Sequence, residues 1–477
     1  MKQVVLCPWI AETKATAKAL LNELLAHFSY ASILLTDSKA KNYSISRSGI
    51  SVNENAEFGD RGAVIRIYDG NGYAEYATNT LSEARIPEIL QTLKERLQPL
   101  AGKLPEGLFE EKMAELPDES ITFARATDYE VHPCDLGDEA ILTKLSQARE
   151  KALAYDKRIL DTVVFSTYQE YHKLFLSKNK DLTQSVLWMS AGAAVLASRG
   201  EEIKESYRSF SGLGGAEVLD RMEGEIENVA NATLALLDAE PIEPGTYDCI
   251  CSPETTGMIV HEAFGHGVEM DMFVKDRALA KSYVGKPVAS PLVTMHDGAS
   301  AAREVATFFF DDEGTLAKDT VVIEKGILKQ GICDAQSALS LGCAPTGNGR
   351  RESYARKAYT RMTNTFFEGG TDTLEDMIAS IQYGFLLEEP SSGMEDPKNW
   401  GIQCMVNVAK EIKDGKLTGR IFSPIVLTGY VPDLLKSISM MTPTVELGGG
   451  GACGKGYKEW VKVSDGGPYM KAKIRLG

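Results

Sequence analysis

The stretch 257-GMIVHEAFGHGVEMD-271 carries two histidines and a glutamate, at His261, Glu262 and His266. In the familiar zinc-peptidase pattern H-E-x-x-H the histidines are four apart, which stacks them on one face of a helix. Here they are five apart. Each residue of an α-helix turns about 100°, so positions i and i+5 lie about 140° apart and cannot share one ion. Gly265 and Gly267 flank His266. Glycine tolerates backbone angles that other residues resist, so the segment can unwind or take a π-bulge. The extra residue of a bulge brings positions five apart onto one face. The competing reading is a helix end, with Gly267 as its C-cap and His266 meeting the last carbonyls. Glu262 favours the metal reading, because it stands where zinc peptidases keep their general base. Glu269 and Asp271 are either acceptors for histidine N–H groups or the solvated end of the segment.

A catalytic zinc takes three protein ligands and keeps one position open, so a third ligand must come from elsewhere. Of the six histidines, His27, His132 and His172 fall in the first half and read as surface or packing residues. His296, in TMHDG, sits beside an ordinary Asp-Gly turn. Cys453 is the stronger candidate. It lies in 447-LGGGGACGKGY-457, where glycines allow close backbone approach and Lys455 favours the thiolate. A His₂Cys set leaves zinc with a charge of about +1, enough to acidify a bound water. One thiolate with two imidazoles also favours zinc over harder divalent ions. The same loop fits G-x-x-x-x-G-K from Gly449 to Lys455, but Gly456 follows where a phosphate loop has Ser or Thr. YKEWVKVSDGG then reads as strand and turn, so nucleotide binding is set aside.

The chain has 477 residues, 43% hydrophobic and 25% charged, which predicts a soluble globular protein of two domains. The apolar run in the N-terminal MKQVVLCPWIAET lacks the length and the small-residue cleavage site expected of a signal peptide, and no run reaches the roughly 18 apolar residues of a membrane span. Eight scattered cysteines form no disulfide framework, so a reducing cytoplasm is expected. A net charge of −16 argues against nucleic acid as a partner. The one basic cluster, 350-RRESYARKAYTR-361, reads first as a solvated loop or strand edge.

Helical spacing runs through 12–28 and 81–98, and again from about 137 to 156 and over 215–239. Residues 43–50 and 63–69 alternate as strands do, with a turn signal at Asp69-Gly70-Asn71-Gly72, and 159–200 reads as an antiparallel meander. The first half is thus mixed α and β without regular βαβ alternation. The segment 240-EPIEPGTYDC-249 resembles a linker, and short β-prone runs between glycines dominate from 290 onward. The expected fold class is α+β, with an N-terminal domain over 1–243 and a β-rich metal-binding domain over 244–477.

Taken together, 261-HEAFGHGVEMD-271, 311-DDEGT-315, 346-TGNGRRESYARKAYTRMTNT-365 and 448-GGGGACGKG-456 resemble the TldD/PmbA family, once described as modulators of DNA gyrase. The N-terminal 58-FGDRGAVIRIYDGNGYAEYATNTLSE-83 fits more loosely. The resemblance implies a TldD-type zinc metallopeptidase. His261, His266 and Cys453 would bind zinc, and Glu262 would be the base. It also implies an enclosed site for unfolded peptides, and a homodimer or a heterodimer with a TldE/PmbA-type partner. From their position in the resembling segment, Arg351 and Tyr354 are expected to hold the substrate backbone or the oxyanion. Phe264, Met270 and the run after Cys453 depart from the family pattern and bear on substrate preference. The rival reading is a non-catalytic regulatory protein with a structural or vestigial metal site.

Overall fold

The computed structural model describes residues 1–54, 59–97, 113–457 and 459–477. Phe58 and Gln98, each at the end of a segment quoted above, lie outside these residues, as does Lys458. The fold is α+β. Residues before 214 build one eight-stranded sheet. Its main path runs Glu202–Leu213, Lys180–Arg199, Ile159–Ser177, Tyr30–Ser46, Asp60–Tyr68, Tyr73–Thr78. The three strands from 159 to 213 are the antiparallel meander read from the sequence, extended by one strand. Asp60–Tyr68 and Tyr73–Thr78 pair antiparallel across the Asp69–Gly72 turn, where Gly70 takes a φ of 95°, open to glycine at little cost.

Alternation along these strands decides what the sheet carries. Ile33, Leu35, Ile65, Ile67, Leu174 and Leu176 pack beneath the helices Pro8–Leu25 and Ile86–Leu97. Further along the same face, Tyr43, Ile45, Val164 and Tyr168 pack beneath Asp138–Tyr155 and Val218–Leu236. The intervening positions Leu34, Val64 and Phe175 point to the opposite face and meet Phe310, Leu316 and Tyr354 of the second half. The sheet is therefore sandwiched: helices cover one side and the second half covers the other.

That second contact is also polar and buried. Arg66 donates to Glu75 at 2.7 Å and to Glu313 at 2.6 Å, and Arg351 reaches the same Glu75 at 2.6 Å. Gln184 holds Phe309 N and Phe310 O. Lys173 bonds Asp312. The run 311-DDEGT-315 is thus a docking element.

From residue 245 on, two sheets dominate. In the first, Gly245–Cys251 pairs with Tyr383–Asp396 on one side and with Met470–Leu476 on the other. Gly401–Lys413 and Ile425–Tyr430 complete the circuit back to Met470–Leu476, so five strands form a closed ring. The second sheet has the order Ile327–Leu328, Thr320–Glu324, Met295–Asp297, Asn364–Phe367, Ser464–Gly467, Glu446–Gly448. The stretch SDGG at 464–467, which reads as a turn in the sequence, is an inner strand of this sheet. Between the two sheets runs the helical segment that begins at Pro253. No helix among the described residues is long and apolar enough to cross a membrane.

Candidate metal centre

The helix Pro253–Ile259 starts cleanly, with Pro253 in its first turn and Ser252 Oγ accepting from Thr255 N at 3.3 Å. It continues as a π-helical turn over Val260–Gly265 and tightens to a 3₁₀ turn over His266–Val268. The wider π turn adds one residue per turn. It sets the rings of His261 and His266 edge to face, 5.1 Å apart. The odd spacing in the sequence is resolved by this turn. The glycines act differently from expectation. Gly265 has an ordinary helical φ of −60°, and neither flanking glycine takes a positive φ. What they supply is room. A Cβ on Gly265 would lie 2.2 Å from Met362 Sδ, and one on Gly267 would lie 2.6 Å from Glu395 Oε1.

Cys453 arrives on a hairpin, Ala452–Lys455 paired with Glu459–Lys462, opposite Val461. Arg361, fully buried, clamps it by donating to the backbone oxygens of Cys453 and Glu459. The glycines before it dock on the N-terminal sheet: Gly449 N donates to Ser211 Oγ at 2.7 Å, and a Cβ on Gly450 would strike Ser209. Close backbone approach is what the sequence anticipated for this loop.

One ligand atom each from His261, His266 and Cys453 lie within 4.8 Å of one another. Cys453 Sγ is 3.5 Å from His266 Nε2. Tetrahedral zinc with its usual N and S bond lengths holds such atoms about 3.5 Å apart. The other nitrogen of His266, Nδ1, meets Glu269 at 3.2 Å, the carboxylate–histidine contact that fixes tautomer and ring orientation. His261 Nδ1 is buried without a hydrogen-bond partner, with Asp465 Oδ2 at 4.0 Å.

The electrostatics suit a cation. Burial alone would raise the Cys453 thiol, but hydrogen bonds from His261 and His266 outweigh it and pull its pKa down to about 4. Burial likewise opposes protonation of the histidines, yet Cys453 lifts both, and Glu269 adds to the effect on His266. Glu269 is pushed up by burial and drawn down further by Lys455 and His266, to about 2. Lys455 does not face the thiol. It bonds Asp271 at 2.8 Å, Glu269 at 3.0 Å and the Thr360 carbonyl. Asp271 serves this lysine and Lys275 and makes no bond to a histidine.

Glu262 lies half-buried against Gly393 of the strand Tyr383–Asp396, where a Cβ would come within 2.5 Å of its Cγ. Two residues along, Glu395 packs against Gly267. Both carboxyl oxygens of Glu395 are buried and unbonded, although the Gly267 N–H is near enough to favour the charge. Burial keeps its pKa well above the ordinary range. Asp465, beside His261, is raised by burial to about 6, His261 working in the other direction. Sequence reading missed Glu395, Asp465 and Arg361. The first lies in an unremarkable strand, the second in SDGG, and the third in a cluster read as solvated.

The other histidines belong elsewhere. His132 and His172 share Glu170 at 3.2 and 3.1 Å, His296 sits between Asp319 and Glu368, and His27 is exposed. Arg351 and Tyr354 are engaged away from the three donor atoms. Arg351 binds Glu75 and the Arg356 carbonyl. Tyr354 packs its ring on Gly62 and donates its backbone N–H to Asp60. They line a cavity of about 80 Å³ between the two halves, with Trp460 and Val461. Phe264 packs against Trp400 in the core with its ring tilted by 39°, and Met270 packs on Gly331.

Residues 244–475 match the family model of the PmbA/TldA metallopeptidase C-terminal domain. A metalloprotease of Methanocaldococcus jannaschii is 26% identical over 86% of this chain and 89% of its own. A metalloprotease TldD homolog of Buchnera aphidicola is 35% identical over 60% of this chain and 59% of its own. A zinc metalloprotease TldD homolog of Saccharolobus solfataricus is 27% identical over 64% and 69%. Among solved structures, a Thermotoga maritima protein described as a modulator of a DNA gyrase superposes with a TM-score of 0.77 at 16% identity, covering 97% and 100% of the two chains. TldE of Thermococcus kodakarensis gives 0.74 at 18%, covering 96% and 100%. At these identities the two structures establish the fold.

Proposed function

This chain belongs to the PmbA/TldD family, its residues 244–475 carrying the metallopeptidase domain, and from that premise we propose a zinc-dependent peptidase acting on unfolded or flexible peptides in an enclosed site. The observation that carries the proposal is the convergence of His261, His266 and Cys453 on a segment that also bears Glu262. His261, His266 and Cys453 hold the zinc. When bound, it supplies a Lewis acid for the peptide carbonyl and acidifies water. Glu262 takes the proton of the attacking water on its carboxylate and returns it to the leaving amine nitrogen. Glu269 keeps the proton of His266 on Nδ1, leaving Nε2 as the donor atom, and Lys455 holds Glu269 ionised. Residues 1–243 form one domain and 244–477 the other. The protein works in the cytoplasm as a homodimer or with a TldE/PmbA-type partner, without nucleic acid or membrane.

A closed four-ligand site would favour the non-catalytic reading, in which the metal site is structural or vestigial. Among the described residues no fourth His, Cys or carboxylate joins the cluster, which favours an open position. The test is peptide hydrolysis by Glu262→Gln alongside metal analysis. Retained zinc with hydrolysis slowed by about 100-fold or more supports the role of Glu262. Unimpaired hydrolysis by metal-loaded Glu262→Gln would overturn it.

A further inference from the structure

Resting on the peptidase reading, we infer that Glu395 is a binding residue for a cationic group of the substrate, either its amino-terminal ammonium or a lysine or arginine side chain beside the bond that is cut.

Gly393 and Glu395 are two apart on one strand and so share a face. Gly393 leaves room for Glu262 to lie against the strand, and Glu395 reaches Gly267 immediately after His266. The carboxyl therefore stands next to both the proposed base and a proposed zinc ligand, and it is electrostatically coupled to both. Both its oxygens are buried without a hydrogen-bond partner. Native proteins rarely leave a buried carboxyl in that condition.

Glu269 differs in that one of its oxygens, Oε2, takes both Lys455 and His266, and only its Oε1 is buried without a partner. No lysine or arginine among the described residues forms an ion pair with Glu395. Among the described residues only His261, His266 and Cys453 converge as metal-ligating groups, and Glu395 is not one of them. An ammonium brings three donors and a positive charge to two acceptor oxygens. A neutral peptide group brings one N–H. Covalent geometry suits the amino terminus as well: the α-nitrogen lies about 2.5 Å from the carbonyl carbon of its own residue. A carboxylate beside the reacting centre thus meets the amino group of the residue whose carbonyl is attacked. A longer basic side chain from a neighbouring residue can reach the same place.

The test compares kcat/KM for paired peptides on the zinc-loaded protein. One pair is a peptide free of lysine and arginine, with its amino terminus free or acetylated. The other is an acetylated peptide with lysine or norleucine flanking the cleaved bond. The wild type should prefer the cationic member of at least one pair by about tenfold, equivalent to about 1.4 kcal/mol, and Glu395→Gln should bring that ratio close to one. The pair that responds identifies the source of the charge. Calorimetry on metal-free protein with the same peptides should show the same loss of preference. It keeps the inference separate from the peptidase reading, because binding can be measured even if nothing is hydrolysed. Should Glu395→Gln fail to fold, Glu395→Asp retains the charge but withdraws it by one methylene, and an intermediate ratio is expected. No preference in the wild type, or a preference that survives the substitutions, would overturn the inference, as would an equal slowing of both members of each pair.

Discussion

Asp297 and Glu395 are both buried carboxyl groups of the second half, and the fold surrounds them in opposite ways. Asp297 lies under the segment 346–365 and accepts four hydrogen bonds. Its Oδ1 takes Asn348 Nδ2 at 2.7 Å and Thr363 Oγ1 at 2.9 Å, and its Oδ2 takes Thr365 Oγ1 at 2.6 Å and Thr363 N at 3.1 Å. Glu395 accepts none. A satisfied buried carboxylate fixes the chain around it, whereas an unsatisfied one has a partner outside the chain or imposes a standing cost. His261 Nδ1, also buried and unbonded, falls with Glu395 on the unsatisfied side. The contrast separates a polar network that holds the fold from a polar site left open for a ligand, although both are spelled by the same residue types.

The sharpest way to break this distinction is to remove a donor atom from the open site. Cys453→Ser should take the protein from about one zinc per chain to about a tenth or less, with peptide hydrolysis falling to background. The fold should survive, because Arg361 holds the backbone oxygen of residue 453 and not its side chain. Elemental analysis and circular dichroism check both halves of the statement. Occupancy indifferent to Cys453 would remove this residue from the site.

Next in size is a comparison of the two carboxyls themselves. Asp297→Ala strands the four donors that the carboxylate now serves, and should cost about 3 kcal/mol or more in urea unfolding. Glu395→Gln removes a buried acid with no ion-pair partner among the described residues, whose burial outweighs the help of His266 and the Gly267 N–H. It should stay within about 1 kcal/mol of wild type or gain stability. Equal losses in the two variants would mean that Glu395 is structural after all.

How much of this was legible in the sequence follows the same division. His261, Glu262 and His266 stood out because metal-ligand residue types leave a local pattern, and a π turn was one of the ways, beside an unwound segment, in which the sequence could bring positions five apart together. Cys453 was found from its glycine neighbours, which do make the close approach expected of them. The reason offered for Gly265 was mistaken in kind: the sequence pointed to backbone freedom, whereas the structure requires space beside Met362. Arg351 and Tyr354 were chosen from a run whose partners, Glu75, Asp60 and Gly62, lie almost 300 positions away. No local pattern announces contacts at such separation. Glu395 is hidden for the same reason, since only the packing of its strand against Gly267 makes it unusual. The two buried faces of Tyr30–Ser46, on which Ile33 and Leu34 lie, were not read, because a run that is apolar on both sides does not alternate.

A smaller effect tests whether the glycines serve the site through space. In Gly265→Ala the new methyl must displace Met362, whose Sδ would be 2.2 Å away. Overpacking of this kind typically costs about 1–3 kcal/mol. Part of that cost should fall on the orientation of His266, with zinc affinity lowered by about tenfold. Adding Met362→Ala should restore much of the affinity, and a double-mutant cycle measures the coupling. If the double variant binds zinc no better than Gly265→Ala alone, the glycine matters for some other reason.

The smallest expected effects are opposite pH slopes in the metal-free protein. Burial works to raise Glu75, but Arg66 and Arg351 outweigh it and hold its pKa near 2, against an ordinary 4.5. Its folded-state pKa is depressed, so its stabilisation is complete above 4.5 and is lost as pH falls towards about 2. Glu395 runs the other way. Its pKa is raised well above 4.5 by burial, so the folded chain keeps a proton that the unfolded chain has already released. Stability therefore falls as pH rises beyond 4.5, until the folded carboxyl also ionises. Urea midpoints measured from about pH 3 to pH 8 should show Glu75→Gln flattening the acid limb and Glu395→Gln flattening the neutral one. A cationic peptide bound at Glu395 should flatten that neutral limb in the wild type too, since it supplies the charge whose absence creates the slope. If the limb is unchanged by either the substitution or the peptide, the contrast between the two carboxyls does not extend to their protons.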